Sequence, residues 1–380
     1  MKKKIFIVTE RRADYSKFRP ILMEITKSKQ LDYCLVVTGS HLLSTHGKTI
    51  NEIKKDGFNI HHTFPMYSKN FSDTGSEMVQ SFGRSVINLS KIVENEKPDL
   101  ILAGFDIGAN FAASIVGSHM NIPVAHVEGG DVTGTIDESI RHATSKFSHI
   151  HFTSNKEATN RLIKMGENKK SIFTVGSTGL DNIKQTKLIS KNHLSKKFNI
   201  DFSLPYIILL QHTVTTEINE IDKNFLNTLK AISELKIQTI VIHGNADAGS
   251  QKISKILSDS SIKQVKTIPN QEYVNLLIHS SALVGNSSSG IIETPYLKIP
   301  SVNIGTRQQG RLKAFSVIDV AYNKKQIKTA IQKAVFDKKF RNKVKNSPSP
   351  YGDGNSAKKI IKTLEKLNLS KISIQKSLSY

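Results

Sequence analysis

Four side chains are of a type, and in a place, to move protons on a bound molecule: Asp106, Glu128, Asp137 and His212. Asp106 follows the apolar run 100–105, and Glu128 follows 124–127 and opens Glu128-Gly129-Gly130. His212 comes two residues after the apolar run 206–210. Carboxylates and an imidazole placed in this way suit general acid/base work. Plainer readings compete. An acid after an apolar run can cap a helix, which fits Asp106. Thr135 and Glu138 frame a capping box around Asp137. Glu128 fits a cap less well, because the two glycines after it would let a ligand approach the backbone. A second kind of chemistry belongs to Gly285-Asn286-Ser287-Ser288-Ser289-Gly290, which leads into a helical stretch carrying Glu293. Hydroxyls and free N–H groups at a helix start make an anion site, with a serine-rich cap loop as the alternative. Neither GxxxxGK[ST] nor GxGxxG occurs, and no Cys/His cluster has metal-binding spacing.

The elements that must position these residues alternate along the chain. Strand-like runs fall at 4–8, 33–38, 100–105, 124–127, 151–154 and 172–175, with helical spacing at 15–28, 77–93, 110–120, 137–148 and 155–165. Strand, helix, strand in this rhythm means right-handed crossovers and a parallel sheet covered on both faces. Leu100-Ile101-Leu102-Ala103-Gly104 is apolar without alternation, as a doubly buried strand requires. The polar, lysine-rich stretch 184–199 breaks the pattern. It then restarts with strands at 206–210, 237–243, 265–268, 283–285 and 301–304 and helices at 218–235 and 271–280. Helices at 324–345 and 354–367 follow, and the tail beyond residue 369 reads as frayed. The fold class expected is α/β, two doubly wound Rossmann-like domains at 1–183 and 200–369, with the last helix packing back on the first domain. Ligands of such sheets lie outside the strand C-termini, so polar residues there carry functional weight, and two sheets in tandem would face a cleft.

Composition narrows the class. The chain has 380 residues, a single cysteine (Cys34) and ordinary counts of glycine (22) and proline (10), which exclude a disulfide scaffold and a collagen-like or disordered chain. The apolar run after Lys2-Lys3-Lys4 is too short for a signal peptide, and no stretch reaches the ~18 apolar residues of a membrane span. A soluble cytoplasmic protein without membrane partners is expected. The net charge of +22 peaks at 323–345, where nine Lys/Arg meet one acid, Asp337. These charges have helical spacing, and neither interleaved aromatics nor a nucleic-acid-binding motif accompanies them. A solvated helix face and an anionic small substrate use the surplus better than a duplex, so no nucleic-acid partner is expected.

Several blocks resemble the hydrolysing UDP-N-acetylglucosamine 2-epimerases of sialic- and legionaminic-type pathways. They are Arg12-Ala13-Asp14-Tyr15-Ser16-Lys17, the run Glu128-Gly129-Gly130-Asp131-Val132-Thr133-Gly134-Thr135-Ile136-Asp137-Glu138-Ser139-Ile140-Arg141-His142-Ala143, Gln211-His212-Thr213-Val214-Thr215-Thr216, Gly285-Asn286-Ser287-Ser288 and Gly305-Thr306-Arg307-Gln308-Gln309-Gly310-Arg311. The resemblance spans about residues 4–367, and the 128–143 block is its most specific part. Gly104-Phe105-Asp106-Ile107 departs from it: the family commonly reads His-Gly-Asp-Arg, so the acid stays and the arginine becomes isoleucine.

The resemblance implies a glycosyltransferase-B architecture, with the nucleotide held mainly by the C-terminal domain. It implies anti elimination of UDP to a 2-acetamidoglucal, then hydration to the free 2-epimer. Asp106, Glu128, Asp137 and His212 match its acid/base positions. Arg12, Asn245, Ser287, Ser288, Glu293 and Arg307 match its UDP-binding positions: Ser287 and Ser288 at the diphosphate, Glu293 at the ribose, and the two arginines neutralising the leaving group. It implies no cofactor or metal, a UDP-linked or GDP-linked substrate, and a homodimer or homotetramer. A non-hydrolysing epimerase, an acceptor-dependent glycosyltransferase and a non-enzymatic binding protein are the alternatives.

Overall fold

The computed structural model of the chain describes residues 2–68, 72, 74–133, 136–244, 249–260, 262–266 and 268–379. The chain divides into two compact units. The first comprises Met1–Val132, Ile136–Asn182 and Tyr351–Tyr380, and the second includes Ile183–Pro350.

In the first unit seven strands form one sheet: β1 Lys3–Thr9, β2 Leu31–Val37, β3 His62–Thr63, β4 Leu100–Gly104, β5 Val124–Val127, β6 Ile150–Thr153 and β7 Ile172–Thr174. Their spatial order is β3-β2-β1-β4-β5-β6-β7, and every pairing is parallel. Side chains alternate across the pleat, so Ile5 and Ile7 enter one apolar layer while Phe6 and Val8 enter the other. The chain order reverses between β1 and β4, which is where a doubly wound sheet opens a crevice at its strand C-termini.

The last helix, Ser356–Lys366, belongs to this unit and buries Ala357, Ile360, Ile361 and Leu364 in the layer of Ile21, Leu22 and Ile25. Both its ends are held by distant residues. Asp181 accepts from the backbone N–H groups of Ser356 (2.9 Å) and Ala357 (2.8 Å), and Lys3 Nζ donates to the carbonyls of Leu364, Glu365 and Leu367 at 2.7–3.0 Å. The orphan groups at each terminus thus find a carboxylate and an ammonium of the sign the helix dipole favours. The tail is not frayed, contrary to its polar composition. Ile374 O lies 3.1 Å from His149 Nε2, Lys376 pairs with the buried Glu167 at 2.7 Å, and Ser379 N donates to Gly166 O.

The second unit carries β8 Tyr206–Leu210, β9 Gln238–Ile242, β10 Gln264–Val265, β11 Ala282–Gly285, β12 Ser301–Ile304 and β13 Val317–Val320. Their order is β10-β9-β8-β11-β12-β13, again all parallel, with the reversal between β8 and β11. Ile207 and Leu209 face one core layer, Tyr206 and Ile208 the other. The lysine-rich stretch expected as a break contains the helix Lys191–Phe198, whose Leu194 and Phe198 enter the second layer. The basic stretch 324–345 is two helices, Lys324–Phe336 and Lys338–Asn346. Asp337 takes an extended backbone between them and caps the second through Phe340 N at 3.0 Å.

Candidate active site

Glu128 stands at the C-terminus of β5 and is 2% exposed. Its backbone is left-handed, with φ 61°, and so is that of Phe105 after the neighbouring β4, with φ 68°. Such conformations cost non-glycine residues about 1–3 kcal/mol each and persist only where surrounding contacts hold them. Here the contacts are specific. Glu128 Oε2 lies 2.5 Å from Lys17 Nζ, and Ser177 Oγ donates to Oε1. The Lys17 ammonium also sits 4.6 Å from the centre of the Phe105 ring, an electrostatically favourable place over the ring face. His126 Nε2 donates to Phe105 O at 3.0 Å. Burial pushes the His126 pKa down to about 3, so the ring stays neutral and serves as a fixed strut.

The protein's own packing requires the two glycines after Glu128. A Cβ on Gly129 would lie 2.7 Å from His126 Nδ1, and one on Gly130 (φ 80°) would lie 2.4 Å from Ala158 O. The space beside them is filled by the protein's own chain.

Asp106 is not the cap of the helix that follows it. Its carboxylate is clasped by the guanidinium of Arg141, which is 2% exposed and also donates to Asp131 O at 3.2 Å. The helix Gly108–His119 is served instead by Glu10, which follows β1 and accepts from Ala109 N at 2.9 Å. Asp137 is half-buried in the first turn of Ile136–Phe147, four residues before Arg141 and so on the same helix face. Thr135, the other half of the expected capping box, lies outside the described residues, as does Asn245. Arg12 is the first residue of the helix Arg12–Lys27, directly beyond β1, and Asp14 in that helix accepts from the N–H groups of Glu10 and Arg11.

In the second unit the strand-end residues meet at Asn286. This fully buried side chain accepts from His212 N at 2.6 Å and donates to His212 O at 2.9 Å, fixing the backbone of the histidine after β8. The backbone carbonyl of Asn286 accepts from Gln308 Nε2 at 2.9 Å and from Arg307 at 3.3 Å. The ring of His212 lies against Gly244, where a Cβ would be 2.9 Å from Nδ1. Ser288 directly precedes the helix Ser289–Tyr296, and Ser287 Oγ accepts from Ser289 N at 3.3 Å. Glu293, half-buried in that helix, accepts from Ser289 Oγ.

The first unit therefore gathers Asp106 and Glu128 on adjacent strand ends, and the second gathers His212, Ser287 and Arg307 around one asparagine. Of the residues that hold them, sequence alone gives Lys17, Ser177, Arg141 and Glu10 no individual role and reaches Asn286 only as part of the 285–290 loop. Ser177 was within reach of the strand-end rule applied to β7, whereas the Lys17–Glu128 partnership spans 111 positions and no local pattern records it.

Two open parallel sheets, each with polar residues at the strand ends beside its reversal, define an α/β protein of glycosyltransferase-B architecture. The UDP-N-acetylglucosamine 2-epimerase crystal structure from Neisseria meningitidis bound to UDP-GlcNAc superposes with a TM-score of 0.83 at 21% identity, covering 96% of this chain and 100% of that one. A putatively assigned Listeria monocytogenes homologue of that enzyme also gives 0.83, at 17% identity, over 100% and 99% of the two chains. The chain belongs to the UDP-N-acetylglucosamine 2-epimerase family, whose model matches residues 23–365. Among its relatives, the hydrolysing UDP-N,N'-diacetylbacillosamine 2-epimerase of Legionella pneumophila is 34% identical over the whole of both chains. The UDP-N-acetylglucosamine 2-epimerase of Neisseria meningitidis serogroup B is 35% identical over 89% of each. The GDP/UDP-N,N'-diacetylbacillosamine 2-epimerase (hydrolysing) of Campylobacter jejuni is 33% identical over 98% of this chain and 97% of its own.

Proposed function

We propose that this chain is a hydrolysing 2-epimerase that converts a UDP-linked 2-acetamido sugar to UDP and the free 2-epimer. The observation that carries this reading is the end-to-end similarity to the Legionella hydrolysing enzyme. In the first step carbon 2 loses its proton and the bond from carbon 1 to the diphosphate oxygen breaks, leaving a 2-acetamidoglucal. In the second, water adds across that double bond, hydroxyl to carbon 1 and a proton to carbon 2 from the other face. Neither step exchanges electrons, so none requires a redox cofactor.

Glu128 suits the base. Its two neighbours, an ammonium and a hydroxyl, are donors matched to a carboxylate rather than to a carboxylic acid. Asp106, Asp137 and His212 supply the remaining proton transfers, and a positioned group of this kind contributes ~10²–10⁴-fold. Arg12, Asn245, Ser287, Ser288, Glu293 and Arg307 take the nucleotide. The sugar is N-acetylglucosamine or a 2,4-diacetamido-trideoxy relative.

Incubation with UDP-N-acetylglucosamine, UDP-N,N'-diacetylbacillosamine and its GDP counterpart, followed by proton NMR, tests the reading. Free nucleotide and a free 2-epimeric sugar are expected from one of them without any acceptor. A product still linked to nucleotide would make the enzyme a non-hydrolysing epimerase, and a demand for an acceptor would make it a transferase.

A further inference from the structure

Away from the strand C-termini, the first unit brings together a soft donor, an imidazole and a carboxylate that lie far apart in sequence. Cys34, on β2, is buried at 1% exposure. His62 opens the two-residue edge strand β3, which pairs with β2 at Val36, two positions on from Cys34 and so on the same face. Glu96 ends the helix Gly75–Glu96 that leads into β4, placing it on the side of the sheet where the strands begin. One ligand atom of each lies within 4.8 Å of those of the other two. His62 Nε2 is 2.7 Å from Glu96 Oε1, and the second carboxylate oxygen is held by Lys4 Nζ at 3.1 Å.

We propose that Cys34, His62 and Glu96 form a zinc site, with Glu96 Oε1 as the carboxylate ligand and solvent in the fourth position. Thiolate, imidazole and carboxylate are the three protein ligand types of zinc, at about 2.0–2.3 Å from the ion. Donors within 4.8 Å of one another need only small side-chain rotations to meet those lengths. His62 and Glu96 are 34% and 22% exposed at their side chains, which gives the ion a way in. Lys4 stays on Oε2 and orients the carboxylate from outside the ligand set. Burial keeps Cys34 a thiol in the metal-free protein, so zinc uptake forms the sulfur–metal bond and releases that proton to solvent. The ion would fasten β3, an edge strand with only two ladder positions, to β2 and to the end of the helix Gly75–Glu96. No catalytic step is assigned to it.

The test uses the full-length protein, stripped with a chelator and titrated with Co²⁺ and then Zn²⁺. One Co²⁺ per chain is expected, with a thiolate-to-cobalt charge-transfer band that Zn²⁺ abolishes. At a free Zn²⁺ concentration 100-fold above Kd, thermal unfolding of a unit this size should move up by about 5–10 °C. Cys34→Ala should remove both the band and the shift. His62→Gln, at a partly exposed position that packing tolerates, should weaken Zn²⁺ binding at least tenfold. Absence of the thiolate band, or a melting shift that Cys34→Ala leaves intact, overturns the proposal. If the alanine variant does not fold, unchanged Zn²⁺ affinity in His62→Gln overturns it as well.

Discussion

Glu128→Gln is the substitution on which the proposed chemistry turns. Glu128 has two partners, the Lys17 ammonium at 2.5 Å and the Ser177 hydroxyl, and lies on a left-handed backbone inside a filled turn. The amide keeps the shape. Its oxygen can still accept from Lys17, which can only donate, and its NH₂ can donate to Ser177 if the hydroxyl turns to accept. What is lost is the charge. A hydrogen bond to a charged group contributes about 1.5–3 kcal/mol, so the variant should be less stable by about 2 kcal/mol, a fall of roughly 4–8 °C in Tm. Turnover should drop ~10²–10⁴-fold if the carboxylate takes the proton from carbon 2. Affinity for UDP, proposed to rest mainly on the second unit's loops and not on Glu128, should hardly change. Lys17→Met provides the contrast, since it strands a buried carboxylate and should cost about 3–5 kcal/mol. Steady-state nucleotide release, UDP calorimetry and thermal melts of the two single variants and the double variant give the full cycle. Turnover within tenfold of wild type in a folded Glu128→Gln that binds UDP normally would refute the base assignment.

Ser177→Ala removes one donor from Glu128 but leaves Lys17 in place, and kcat should fall about tenfold with Tm lowered by only a few degrees; an unchanged kcat would show that the hydroxyl does not tune the carboxylate. Asn286→Ala unpairs both backbone groups of His212, so the second unit should lose about 2–4 kcal/mol and UDP should bind at least tenfold more weakly, as read by calorimetry; normal UDP affinity would separate Asn286 from nucleotide binding. Stability should also fall as the pH drops below about 6.5. Burial holds His41 and His126 at pKa values of about 3, far below the ordinary 6.5, so the unfolded chain takes up protons that the folded chain refuses, each histidine contributing at most about 1.4 kcal/mol per pH unit. Asp14, pushed up to about 7 by burial, works in the opposite sense and cancels about one of those protons. Calorimetric Tm values that rise between pH 6.5 and 4.5 would contradict this balance.

Much of the architecture is legible in the sequence because the sheet strands are apolar on both faces. Val124–Val127, Tyr206–Leu210 and Ser301–Ile304 begin and end where their composition places them. Among the described residues, the two strands that composition does not reveal are edge strands. His62–Thr63 is two residues long, and Val317–Val320 carries the exposed Asp319, so neither shows a buried run. The helix Lys191–Phe198 hides for a related reason: only Leu194 and Phe198 face the core, and lysines cover the rest. At the site, the strand-end rule finds Asp106, Glu128 and His212, because it depends only on where a run of apolar residues stops. It cannot find Arg141, Lys17 or Asn286 as their partners, since those pairings arise from the order of strands in the sheet. The trio Cys34, His62 and Glu96 is the extreme case, invisible to any search for short ligand spacing.

The last helix has a consequence for how the protein comes into being. Asp181 waits for the N–H groups of Ser356 and Ala357, and Lys3 waits for the carbonyls of Leu364, Glu365 and Leu367. A ribosome moving at about 5–20 residues per second needs roughly 8–34 s to travel from Asn182 to Tyr351. For that interval the nascent first unit has its seven strands but lacks one helix of its apolar layer, leaving Ile21, Leu22 and Ile25 without their cover. The second unit, nearly all of which lies in the single run Ile183–Pro350, can complete its own core first. Synthesis from the N-terminus and completion from the C-terminal side therefore run in opposite orders, and the complete but partly uncovered sheet is the species a chaperone would meet.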